Sequence, residues 1–130
     1  YNFHFNDVNI SVRNKIDKVN QLISRYEEYL TNPILEYIYN RSDIKLFGKN
    51  KIKNKDRAPT ISFVSKNKTS KEISEILVSK GIATRNDNFY AWRCLKALGV
   101  DTKDGVVRIS LTHYNSKNDV DKLLSAMNYI

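Results

Sequence analysis

Gly105-Val106-Val107-Arg108-Ile109-Ser110-Leu111 reads as a β-strand in which one arginine interrupts an apolar run. His113-Tyr114-Asn115-Ser116 follows at once, and Ser116-Lys117-Asn118-Asp119 caps a last helix that turns Val120, Leu123, Leu124 and Met127 inward. A guanidinium is charged at any physiological pH, and burying one without a partner is costly. Arg108 therefore has three options: a carboxylate of this chain (Asp101, Asp104 or Asp119), solvent on an open sheet face, or an anionic ligand.

The same local rules divide the rest of the chain. Ile16, Val19, Ile23, Tyr26 and Leu30 recur at spacings of three and four, the stripe of an amphipathic helix. Pro33 is compatible with a kink or with the first position of a second helix, and Ile34, Leu35 and Ile38 continue the stripe. Asp43 to Phe47 reads as a short strand closed by Gly48, and Thr60 to Val64 as another with Ile61 and Phe63 on one face. Thr69-Ser70-Lys71-Glu72 is a capping box opening a helix that Gly81 ends. Ile82 to Arg85 is a short extended piece, and Phe89 to Leu98 a compact helix stopped by Gly99. Tyr1 to about Asn9 is irregular and aromatic-rich. Helices alternating irregularly with short strands point to an α+β fold: a small, mainly antiparallel sheet of three to four strands covered by helices.

Bulk properties set the limits. A length of 130 residues suits one domain, taken here as residues 1–130. With 41% hydrophobic and 28% charged residues, no apolar run nears the length a membrane helix needs, and a cytoplasmic location with no membrane partner is expected. One cysteine, Cys94, and two histidines, His4 and His113, far apart in sequence, argue against a disulfide or a metal site. The net charge of +8 is local: residues 41–71 hold ten Lys/Arg against Asp43 and Asp56, so the remainder is neutral. That segment suits either a solvated loop or a stand-alone basic module binding nucleic acid or an acidic protein by counterion release. Lys49, Lys51, Lys53, Lys55 and Arg57 alternate, yet Asn50, Ile52, Asn54 and Asp56 between them offer neither a core stripe nor a stacking platform. The solvated loop is the expectation, and nucleic acid is not expected as a partner. A third reading makes the chain a scaffold that docks through Tyr1, Phe3 and Phe5.

Four ordered blocks carry a family resemblance: Arg57-Ala58-Pro59-Thr60-Ile61-Ser62-Phe63, Gly81-Ile82, Arg85 through Phe89-Tyr90-Ala91, and Gly105-Val106-Val107-Arg108 with His113-Tyr114-Asn115-Ser116. Together with the helix around Arg25-Tyr26-Glu27-Glu28-Tyr29-Leu30, they resemble the C-terminal small domain of class V aminotransferases. The likeness is to the cysteine desulfurase-like and selenocysteine lyase-like branch and covers essentially the whole chain. The resemblance implies a fold-type I, dimeric pyridoxal-phosphate enzyme whose N-terminal large domain holds the cofactor through a Schiff-base lysine. The small domain closes over an amino-acid substrate. No lysine here matches that motif: Ser65-Lys66, Ser70-Lys71, Ser79-Lys80 and Ser116-Lys117 sit in a charged loop or at helix ends, where desolvation is not available.

By the same resemblance Arg108 is the arginine that grips the substrate α-carboxylate, a task suited to a planar fork of donors. Arg85 contacts substrate, pairs with a carboxylate of the cofactor domain, or is a surface charge. Tyr90 fills the position of the desulfurase nucleophilic cysteine, so no catalytic residue is assigned within this chain, and Cys94 is read as a small core residue. Asp87 replaces a glycine usual in that loop. The expected activity is that of a substrate-closing domain, silent without the cofactor domain.

Overall fold

The structure is a computed structural model that describes residues 3–5, 9–53 and 56–130. Helix α1 (Val12–Tyr39) is followed by strands β1 (Ile44–Phe47) and β2 (Thr60–Ser65), helix α2 (Ser70–Ser79), strand β3 (Arg85–Asp87), helix α3 (Trp92–Ala97), strand β4 (Val106–Ser110) and helix α4 (Lys117–Ala126), which tightens into a single 3-10 turn over Met127–Tyr129. The strands form one antiparallel sheet in the order β1-β2-β4-β3. The α+β arrangement expected from the sequence is the fold observed.

Side chains alternate across each strand, so the register assigns every residue to a face. Leu46 lies opposite Phe63, Phe63 opposite Val107, and Ile61 opposite Ile109. This apolar face is covered by the inward stripes of α1, α2 and α4, where Leu30, Ile34, Leu35, Ile38, Ile73, Leu77, Val120 and Leu123 are buried. The other face carries Phe47, Ser62, Arg108 and Arg85 in one cross-strand row. Helices α1, α2 and α4 cover the first face, whereas the second meets the short helix α3 and the loop after β1; that asymmetry creates the site.

The ends of the helices follow local chemistry. In both capping boxes the reciprocal pair forms: Thr69 with Glu72, and Ser116 with Asp119. Accepting these backbone and hydroxyl hydrogen bonds holds the Glu72 and Asp119 carboxyls below their ordinary range.

Pro33 does not start a second helix. It lies inside α1, because Leu30, Thr31, Ile34 and Leu35 on both sides of it are buried and packing outweighs the missing hydrogen bond. Helix α3 is shorter than its pattern suggests and begins at Trp92, since Phe89 and Tyr90 have φ of 51° and 59°. The loop after β1 also departs from expectation. Ile52 is only 3% exposed and joins the core. Asn32 clamps it there, accepting from the Ile52 N–H at 2.7 Å and donating to its carbonyl at 3.2 Å. A lone apolar residue among lysines shows no periodicity, which is why the sequence hid this anchor.

Candidate functional site

On the face opposite α1, α2 and α4, the sheet, the loop after β1 and helix α3 enclose a groove of about 430 Å³. Phe47 and Ser62 form part of its floor together with Arg108. Leu95 and Leu98 of α3, Phe89 and Ala58 supply apolar walls.

Arg108 is half-buried, and its guanidinium carbon lies 4.1 Å from the centre of the Phe89 ring. No carboxylate among the described residues pairs with it. The three carboxylates considered from the sequence are engaged elsewhere. Asp101 accepts from the Lys103 N–H at 2.9 Å. Asp104 accepts from the Ser70 N–H at 2.9 Å and its hydroxyl at 3.0 Å, tying β4 to the start of α2. Asp119 accepts from the Ser116 N–H at 2.8 Å in its capping box. Of the three options open to Arg108, the intrachain ion pair is the one removed.

The loop that carries Phe89 is built unusually. Two consecutive non-glycine residues with positive φ, Phe89 and Tyr90, occupy a turn closed by the Ala91 N–H donating to the Asn88 carbonyl at 2.8 Å. Such angles normally call for Gly or Asn. The Asn88 side chain holds the turn by accepting from the Tyr90 N–H at 2.9 Å. Gly105 makes room beneath it: with φ of 76°, a Cβ there would stand 2.3 Å from the Asp87 carbonyl oxygen. Asp87 itself lies in β3 and is not among the positive-φ residues; the left-handed geometry falls at Phe89 and Tyr90. The turn presses the Phe89 ring onto Arg108 and leaves Tyr90 94% exposed, outside the groove.

Arg85 is exposed and lies directly opposite Arg108 in the register, so two like charges project from one face although Arg85 does not line the groove. Cys94 is exposed and lines the groove, correcting its reading as a core residue: the chain passes through a left-handed turn before α3, so Leu95 rather than Cys94 points into the protein. His113 is exposed, with its ring edge against Tyr114, and does not line the groove.

Arg57 is a groove residue that sequence reasoning did not single out as functional. Its guanidinium donates to the carbonyls of Phe47 (3.4 Å) and Thr60 (3.2 Å), and burial lowers its pKa. Gly48 makes space for it, since a Cβ there would meet the guanidinium at 2.4 Å. Its position beside Pro59, at the mouth of β2, was the available signal.

Several cations of the basic segment are likewise tied into the fold. Arg41 binds Asp43 and two backbone carbonyls, and Lys49 pairs with Asp56 at 2.7 Å. Asn54 and Lys55 lie outside the described residues, as does Tyr1 of the aromatic N-terminal group. Phe3 is exposed and Phe5 half-buried. Among the described residues no group of three His, Cys, Asp or Glu could hold a metal ion, and no helix is long and apolar enough to cross a membrane.

With this geometry in place, comparison with known proteins is informative. The family model for aminotransferase class-V matches residues 13–123. An aminotransferase-like protein of Gibberella zeae is 28% identical over 109 residues, which cover 83% of this chain and 27% of that protein. A probable cysteine desulfurase of Pseudomonas putida is 27% identical over 105 residues, covering 81% and 24%. Among solved structures, the cysteine desulfurase of Thermococcus onnurineus superposes with a TM-score of 0.70 at 27% identity, covering 82% of this chain and 25% of that one. The chain thus spans about a quarter of the length of the relatives it matches.

Proposed function

Because this chain belongs to the class V aminotransferase family, we propose that it is the C-terminal, substrate-closing domain of a desulfurase-like or selenocysteine lyase-like enzyme acting on an amino acid. Arg108 grips the substrate carboxylate. The observation that carries this reading is the state of Arg108: a guanidinium in mid-strand, under an aromatic ring, facing a groove, with no carboxylate of the described residues against it. Its cross-strand neighbour Arg85 adds a second positive charge to that face, which a bound anion would relieve. Two parallel hydrogen bonds from Arg108 would fix the orientation of a carboxylate as well as its position, the role a substrate-positioning residue plays in catalysis.

Members of this family use pyridoxal phosphate, and the described residues of this chain do not fit its attachment. Among the described residues no lysine lines the groove. Lys66 is exposed, Lys71 pairs with Glu75, Lys80 lies over the Tyr129 ring, and Lys117 pairs with Asp121. An exposed, protonated lysine is a poor nucleophile. The cofactor and its lysine therefore belong, in this proposal, to a large domain of the parent enzyme, a homodimer in which this domain covers the substrate. Tyr90, exposed on a left-handed turn where desulfurases carry a cysteine, leaves the chain without a nucleophile at that position.

Incubating the purified chain with pyridoxal phosphate and then with borohydride tests this division of labour. Mass spectrometry should find no lysine labelled stoichiometrically. A single lysine that is fully and saturably modified would show that this chain holds the cofactor, and the proposal would fall.

A further inference from the structure

The groove beside Arg108 is both larger and more apolar than a carboxylate grip requires. Its volume of about 430 Å³ lies within the range of about 300–1,000 Å³ typical of sites that enclose whole small molecules. A three-carbon amino acid held by Arg108 would leave most of it empty. Among the described lining residues the only charged side chains are Arg57 and Arg108, and the two are not equivalent. Arg57 is bound to the carbonyls of Phe47 and Thr60, whereas Arg108 has no such partner, so among the described residues Arg108 is the available cation of the groove. The walls around it are Phe47, Ala58, Phe89, Leu95 and Leu98. No described carboxylate, lysine or histidine lines the groove, so its uncharged polar residues Thr60, Ser62, Asn88 and Cys94 provide no partner for an ionised substrate side chain.

We infer that this site takes a carboxylate with a large apolar, preferably aromatic, body: the acid binds Arg108 and the body lies along Phe47, Leu95 and Leu98. The inference rests on the proposed role of Arg108 and narrows the substrate from an amino acid in general to one with a bulky apolar side chain. Charge and shape agree with it. The Phe89 ring covers one face of the guanidinium, so a carboxylate must approach through the edge that carries the N–H donors. A ligand bound there can extend along apolar side chains of the groove.

Titration of the 130-residue chain with three small acids and amides, followed by NMR at the backbone amides of Phe89, Leu95 and Arg108, tests the inference. The probes are 3-phenylpropionate, 3-phenylpropionamide and propionate. Loss of either the charge or the ring should weaken binding by about tenfold or more, the size of effect expected for one charge-assisted pair or one buried aromatic group. Arg108→Gln should abolish the preference for acid over amide, and Arg108→Lys should reduce it. Leu98→Gln should weaken phenylpropionate and leave propionate unchanged.

If propionate binds as well as phenylpropionate, and both depend on Arg108, the inference is overturned while the carboxylate grip stands. If the amide binds as well as the acid, or no probe gives a saturable shift, the grip itself fails and the inference with it. A concentration-dependent dimer abolished by Leu98→Gln would show that a second copy covers this wall, which also overturns it.

Discussion

At Arg41 all three guanidinium nitrogens donate to groups within the chain; at Arg108, in the middle of the sheet, the guanidinium lies against a ring and pairs with no carboxylate among the described residues. Arg41 binds both oxygens of Asp43 and the carbonyls of Met127 and Ile130, fastening the end of α1 to the last turn of the chain. Both arginines are partly buried, so burial alone does not separate them. What separates them is satisfaction. A cation whose donors are all filled serves the fold, and one whose donors are open, on the side that α1, α2 and α4 do not cover, is available to something else. The same contrast runs through the sheet: Phe63 faces the helices and is fully buried, while Ser62 beside it faces the groove.

The largest expected effect tests the two faces. Phe63→Ala should lower stability in a denaturant titration by about 3–5 kcal/mol, the range for an aromatic removed from a packed core. Ser62→Ala should change it by no more than about 0.5 kcal/mol. Equal losses would mean that the groove face is as much a core as the other.

The two arginines give the next comparison. Arg41→Gln should cost about 1–3 kcal/mol, because Asp43 and two carbonyls lose their donor in a partly exposed setting. Arg108→Gln should stay within about 0.5 kcal/mol. A destabilisation at Arg108 matching that at Arg41 would make Arg108 a structural residue.

The smallest effect is in acid. The hydrogen bonds from Arg41 hold the Asp43 carboxyl below its ordinary range, so the folded state binds its proton less readily than the unfolded chain does. The Asp43 contribution is therefore complete above the unfolded value of about 3.9 and fades as pH falls through the lower folded value. Thermal melts of the native chain and of Arg41→Gln should draw closer below about pH 4 as this contribution disappears, with the lost bonds to the Met127 and Ile130 carbonyls leaving a residual gap. A constant gap between them across that range would show that the pairing does not matter to stability.

Much of this architecture was legible residue by residue. The capping boxes at Thr69 and Ser116, the left-handed glycines Gly81 and Gly99, and the alternation of Ile61 and Phe63 are encoded within a few positions and formed as read. Ile52, Cys94 and the Phe89-Tyr90 turn were not legible. Ile52 enters the core with its backbone clamped by Asn32, twenty residues earlier. Phe89 and Tyr90 adopt angles that their side chains disfavour because Asn88 and Gly105 support the turn.

The order of elements, the apolar face of the sheet and the anomaly at Arg108 are written locally, because periodicity and capping act over one turn or one strand. Tertiary structure decided what that anomaly faces. Asp104 is bound to Ser70, Asp119 to its cap and Asp101 to its own loop, while Phe89 is brought onto the guanidinium from another element. Charge pairing depends on distances in space, which a one-dimensional pattern does not contain.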